Sequence, residues 1–350
     1  MSCVDRTLAS LTEDQRIGQL FLVGLDGNEL DAAARDAIAE HHLGSWWFTE
    51  LSTVGVDGIR TVSDAVQAES TDAATGGVGA FIAANQEGGR IQALSGPGFD
   101  EIPSAVVQGT WSTEQLRTRA ERWGEDLLAA GVNLDFGPVA DVVPAGTADD
   151  NAPIGQLDRQ YGSEPGAVAD HVAAFIDGMT AAGVATTAKH FPGLGRVAAN
   201  TDFASGVVDT VTTADDPDLE PFRRAIDAEV SAVMLSLATY ERIDPDHLAA
   251  FSWPIIGGVL EDSLGFGGIV MSDSLSAEAV ASMPVGTRAV AFLQDGGDMI
   301  VVRPVDAAVE MAAAIADHAR DDAWFRDRID NAVTRVLRAK ETAGLLPCPG

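Results

Sequence analysis

Four short stretches of this sequence concentrate side chains able to bind or cleave polar molecules. The first reads Asn85-Gln86-Glu87-Gly88-Gly89-Arg90, and the second reads Asp135-Phe136-Gly137-Pro138-Val139, with Asp141 just beyond. The third is Lys189-His190-Phe191-Pro192-Gly193-Leu194-Gly195-Arg196, followed by Asn200-Thr201-Asp202, and the fourth is Met271-Ser272-Asp273-Ser274. Carboxylates dominate, joined by one Lys-His pair and by arginine. That set suits glycosidic bond cleavage, which needs two acidic groups flanking one bond and hydrogen-bond partners for hydroxyls. Other chemistries lack their parts. No His-Glu-x-x-His string or Cys/His cluster has metal-ligand spacing, and no Gly-x-Ser-x-Gly elbow is present. Gly193-Leu194-Gly195 lacks the helix-opening context of a dinucleotide loop. No metal or cofactor is expected.

Each of these stretches follows a short β-branched or aromatic run, the pattern of a buried strand. Strands are expected at Gln19–Leu25, Ser45–Thr49, Gly79–Asn85, Val132–Phe136, Val184–His190, Ala232–Leu237, Gly268–Ser272 and Met299–Val302. Helical spacing follows at Glu29–His41, Val56–Ala68, Ser112–Ala130, Pro165–Ala182, Asp218–Ala228, Pro254–Leu264, Arg288–Gln294 and Val305–Ala319. A last helix near Ala323–Lys340 carries Phe325, Ile329, Val333, Val336 and Leu337 on one face. Eight strands, each followed by a helix, predict an α/β fold: one (β/α)8 TIM barrel with an extra C-terminal helix, taking in residues 1–350 as a single domain. Thr71–Gly77 and Pro144–Pro153 read as loops too short to tether separate domains. In a barrel the chemistry sits on loops after the carboxyl ends of the strands, where the four stretches fall.

Composition narrows the partners. The chain is 46% hydrophobic, as globular proteins are, and sets 53 acidic against 22 basic residues for a net charge of −31. A surface that negative repels phosphate backbones and anionic lipid, so a carbohydrate is the expected partner, with no nucleic acid. No apolar run reaches the length of a membrane span, and the first residues lack the basic-then-apolar pattern of a signal peptide. A monomer is the simplest state. Only Lys189 and Lys340 are lysines. The two cysteines, Cys3 and Cys348, stand at opposite ends, where a closed barrel would bring them together. Either they form a disulfide, which favours the extracellular space or cell envelope, or they are idle thiols and the cytoplasm stays open.

Asn85–Arg90, Asn133–Val142, Asp158-Arg159-Gln160-Tyr161-Gly162, Lys189–Gly195 and Leu264–Leu275 together resemble glycoside hydrolase family 3. The likeness is to the catalytic barrel of its β-N-acetylhexosaminidase branch and runs from Gly18 to Met299. It implies a (β/α)8 barrel and retaining hydrolysis of terminal β-glycosidic bonds, here β-N-acetylhexosaminides such as cell-wall fragments. Asp273 matches the family's nucleophile, in Ser272-Asp273-Ser274-Leu275; a carboxylate there could instead cap the next helix. Lys189 and His190 match the pair that hydrogen-bonds ring hydroxyls. Arg159 matches a sugar-binding arginine, with an ion pair to Asp158 or Asp135 as the alternative.

The sequence departs from that branch where the acid/base should be. The branch carries Gly-His-Gly and then Asp-Ser-His on a mobile loop, whereas this chain reads Gly193-Leu194-Gly195 and then Asn200-Thr201-Asp202. Asn200 and Asp202 cannot form a carboxylate-held imidazole. Asp202 could itself be the acid, oriented by Asn200 or Arg196, if burial raises its pKa. It could instead only close a turn. The chain would then be a sugar-binding homologue without an effective acid. Asn85 replaces an acid, Ala93 an arginine and Leu237 a histidine, so a β-glycosidase of different sugar specificity is a further alternative. Trp46 and Trp47 could stack on a sugar, but adjacent strand aromatics more commonly split between barrel interior and helix layer.

Overall fold

The computed structural model describes residues 2–348. Its eight parallel strands are β1 (Phe21–Leu25), β2 (Ser45–Phe48), β3 (Phe81–Ala84), β4 (Leu134–Asp135), β5 (Ala185–Phe191), β6 (Ala232–Leu235), β7 (Ile269–Ser272) and β8 (Ile300–Val302). They are hydrogen-bonded in the order β7-β6-β5-β4-β3-β2-β1-β8. A parallel bridge between Met271 and Met299 joins β7 to β8 and closes the ring. The fold is the expected TIM barrel, with every expected strand in place.

Pleating sorts the strand side chains into two cores. Leu22, Phe81, Leu134, Phe136, Met234, Met271 and Val301 point inward and pack with Val336 from the C-terminal helix (Ala323–Thr342), which closes the bottom of the barrel. Phe21, Val23, Trp46, Ile82, Val233 and Val270 point outward, against the helix layer. Burying each such side chain contributes about 1.5–3 kcal/mol. Beneath the barrel Lys340 donates to Gln19 Oε1 (2.8 Å) and to the Gly44 carbonyl (2.9 Å). Burial pushes its pKa down to about 7. Both lysines of the chain are therefore buried.

Several details differ from the expectation. Two short helices, Cys3–Ser10 and Glu13–Gly18, precede β1. Each opens with a capping box, Ser2 with Asp5 and Thr12 with Gln15, which compensates for their length. Thr71–Gly77 is not all loop: Thr71 caps a turn of helix at Asp72–Thr75. The Pro254–Leu264 stretch coils as a wide π-helix over Pro254–Ser263, with the Trp253 indole lying over Gly257, where a Cβ would meet it at 2.5 Å. Cys3 and Cys348 form a disulfide, their Cα atoms 6.1 Å apart, tying the first helix to the end of the described chain. Among the described residues no helix is long and apolar enough to cross a membrane.

Candidate active site

At the carboxyl ends of β3 and β5 a buried carboxylate gathers two cations. Glu87 receives the Lys189 ammonium at 2.5 Å and the Arg159 guanidinium as a fork, Nε to Oε2 and Nη2 to Oε1, both at 2.8 Å. Arg159 thus pairs with neither Asp158 nor Asp135. It reaches instead to a residue 72 positions away in the chain, brought near by the barrel. The third arm of Arg159 donates to the Pro153 carbonyl at 2.8 Å, and Lys189 Nζ also donates to Asn85 Oδ1 at 2.7 Å. Although burial alone would raise it, the two cations hold the Glu87 carboxyl down at about 2. Glu87 sits in a short hairpin, Gln86–Gly88 against Ile91–Gln92. The turn depends on Gly88, which has φ +101° and leaves the Pro103 carbonyl only 2.4 Å from where a Cβ would stand. Asp135 at the end of β4 secures the hairpin by accepting the Gln86 backbone N–H at 3.0 Å. Its other oxygen is buried without a partner, and burial pushes its pKa up to about 7.

A second carboxylate builds the turn after β5. Asp141 accepts His190 Nδ1 (2.8 Å), the His190 backbone N–H (3.2 Å) and the Leu194 N–H (2.7 Å). These bonds fix the imidazole plane. Asn151 holds the next residues through the Leu194 and Val197 carbonyls, each at 2.7 Å. Gly195 serves packing here, because a Cβ on it would stand 1.8 Å from the Val142 carbonyl, whereas Gly193 has open space and is needed for its φ of +133°.

Asp273, half-buried just beyond β7, caps no helix. Its Oδ1 accepts only the N–H of the next residue, Ser274, at 2.7 Å, and the next regular helix begins at Val285. Opposite it, the Asn200–Asp202 turn is closed by Asn200: its Oδ1 accepts the Asp202 N–H (2.9 Å) and its carbonyl accepts the Phe203 N–H (3.1 Å). The Asp202 carboxyl takes no hydrogen bond from the described residues and is left for other work. Backbone bonds from Ala279 to Thr201 (3.1 Å) and from Glu278 to Asp202 (3.3 Å) pin this loop to the segment following Asp273. Asp202 is exposed, yet partial desolvation and then the charge of Asp273 push its carboxyl up, against the pull of His190, Arg159 and Lys189. The charges of Asp273, His190, Arg159 and Lys189 thus all lie near enough to act on the Asp202 carboxyl.

The fold brings together Asp273, Asp202, Lys189, His190, Arg159 and Asn85, with Asn200 shaping the turn. Arg196 does not join them. Its guanidinium is committed to Asp216 (2.7 Å), Asp218 (2.7 Å) and Thr212 (3.0 Å). That is the guanidinium expected to orient Asp202 or meet the substrate. Glu87 and Asp141 stood within the recognised strings but had no assigned role. Both are acids buried beside a single basic motif, and only a long-range contact reveals that. The two tryptophans split as the strand period requires: Trp46 is buried on the helix side, and Trp47 turns half-buried into the barrel.

Residues 12–339 match the profile of the glycosyl hydrolase family 3 N terminal domain. Among curated proteins, the chain is 29% identical over 314 residues to a beta-hexosaminidase of Xanthomonas campestris, covering 85% of this chain and 88% of that one. It is 31% identical over 291 residues to a beta-hexosaminidase of Alkalilimnicola ehrlichii, covering 81% and 80%. Among solved structures, the beta-N-acetylhexosaminidase of Beutenbergia cavernae superposes with a TM-score of 0.93 at 44% identity, covering 95% of this chain and 99% of that one.

Proposed function

The chain belongs to glycosyl hydrolase family 3, and from that premise we propose that it hydrolyses β-N-acetylhexosaminides by double displacement, with Asp273 as nucleophile and Asp202 as acid/base. In the first step the Asp273 carboxylate bonds to the anomeric carbon as the glycosidic C–O bond breaks. Protonated Asp202 gives its proton to the departing oxygen. In the second, Asp202 takes a proton from water, whose oxygen attacks the same carbon and releases Asp273. A positioned proton donor of this kind contributes about 10²- to 10⁴-fold. One electrostatic fact suits both steps. The Asp273 charge helps keep Asp202 protonated; esterification removes that charge, so Asp202 becomes a stronger acid when its base form is required. Lys189 and His190, held by Glu87 and Asp141, would orient ring hydroxyls, and Arg159 and Asn85 would line the same subsite.

The observation that carries this reading is the Asp202 carboxyl, which takes no hydrogen bond from the described residues and sits on a turn pinned by backbone bonds to the segment following Asp273. A bond linking Cys3 to Cys348 further supports an oxidising location, in the extracellular space or cell envelope. Aryl N-acetylglucosaminide and aryl glucoside, assayed with wild type and Asp273→Asn, test the proposal. Wild type should prefer the acetamido sugar and release product with the β configuration retained, and Asp273→Asn should be inactive. A fully active Asp273→Asn would sink the nucleophile assignment, and inverted product would sink the mechanism.

A further inference from the structure

We propose that Trp47 forms the floor of the sugar subsite, its indole meeting the C–H face of the bound pyranose; this rests on the glycosidase reading above. The argument starts with the strand. β2 turns Trp46 to the helix layer and Trp47 to the barrel interior. Below Trp47 the interior is filled by Leu22, Phe81, Leu134 and Met299 and closed by Val336. The solvent that reaches this half-buried ring therefore comes from above, through the mouth where Asp273 and Lys189 stand. Its register neighbours on β1 and β3 are Gly24 and Ala83, neither long enough to cover it.

Two contacts place the ring beside the polar cluster. Phe136 meets Trp47 edge-on, with centroids 5.7 Å apart and planes at 65°. The Lys189 ammonium stands 5.9 Å from the centre of that same Phe136 ring. Trp47 is thus one aromatic ring away from a group that would bind hydroxyls. Its indole N–H is buried and finds no acceptor in the protein, although indole donors in such places commonly have one. An aromatic floor below a few fixed polar groups is how compact ligand sites combine affinity with orientation.

Titration with N-acetylglucosamine, followed by calorimetry and by tryptophan fluorescence, tests the proposal. Wild type should show heat and a saturable change in emission. Trp47→Phe should lose most of the emission change, and Trp47→Ala should weaken binding by about three- to ten-fold, the range for removing an aromatic contact. If Trp47→Ala does not fold, Trp47→Phe, which keeps a ring against Phe136, still decides. An emission change of wild-type size in Trp47→Phe overturns the proposal alone. A wild-type protein that takes up no N-acetylglucosamine overturns the glycosidase reading and this inference with it.

Discussion

Replacing Glu87 by glutamine removes one buried negative charge at nearly constant volume and leaves Lys189 and Arg159 without their shared counter-ion. Its magnitude follows from the carboxyl itself. Folding moves the Glu87 pKa from 4.5 to about 2, which at about 1.36 kcal/mol per pH unit is a stabilisation of about 3 kcal/mol. Breaking a buried ion pair by removing one partner costs about 3–5 kcal/mol, in agreement. Because the folded value lies below the unfolded one, the stabilisation is complete above pH 4.5 and is lost as pH falls towards 2. By pH 3 about 2 of those 3 kcal/mol should be gone. Denaturant unfolding of wild type and Glu87→Gln, at pH 7 and in steps down to pH 3, gives both numbers. The variant should be about 3 kcal/mol less stable at neutral pH, with a gap that narrows in acid. It should also bind N-acetylglucosamine more weakly, since Arg159 keeps at most one of the two bonds of its fork on residue 87. A variant within about 0.5 kcal/mol of wild type at pH 7, the size of an ordinary surface change, would refute the charge-bridge reasoning. So would a gap that stays constant to pH 3.

Asp202→Asn should remove the alkaline limb of the pH–rate profile, because the raised carboxyl must stay protonated for the first step. It should also spare aryl substrates with good leaving groups relative to disaccharides; an unchanged profile would take the acid role from Asp202. Cys3→Ser opens a loop spanning 345 residues and should lower stability by up to about 5–6 kcal/mol on the chain-entropy account. A melting temperature equal to wild type under oxidising conditions would contradict it. Arg196→Ala should loosen the Thr212–Asp218 segment, at a cost of about 1–3 kcal/mol for its partly buried bonds, while sugar affinity stays within about two-fold. A tenfold loss of affinity at unchanged stability would return Arg196 to the substrate.

What the sequence could and could not tell follows from the range of the interactions involved. Strand positions are local: a short run of β-branched, aromatic or other apolar residues announces a strand wherever it lies, and every expected strand is present. Asp273, Lys189 and His190 are equally local, because their motifs sit directly on those ends. The helices before β1 are local too, and their capping residues were visible; only their short length hid them. Partners are a different matter. Arg159 has acidic neighbours at Asp158 and Asp135 in or near its own segment, yet pairs with Glu87 on another strand end. Arg196 lies six residues from Asp202 but turns to Asp216 and Asp218. In each case charge density near the residue was uninformative, because a chain with 53 acids offers every arginine a carboxylate at short range. Geometry decides which one is used.

The same abundance of acid explains why the site depends on so few cations. At −31, a long-range attraction for positive charge is spread over the entire surface, and salt screens it within about 8–10 Å. A sugar is neutral and gains nothing from that field. Under the proposed function, what orients it is short-range and dry: an ammonium and a guanidinium clamped by one carboxylate, an imidazole clamped by another, and the proposed aromatic floor. Each clamp is buried, so it escapes the screening that weakens surface pairs. Of the chain's two lysines, one holds this site and the other lies beneath the barrel, so surface lysine contributes nothing to recognition. Adding surface lysines to lower the net charge should therefore leave affinity for a neutral N-acetylhexosaminide unchanged, whereas replacing Lys189 alone should abolish it. Loss of affinity on surface neutralisation would show that the field, not the clamps, does the binding.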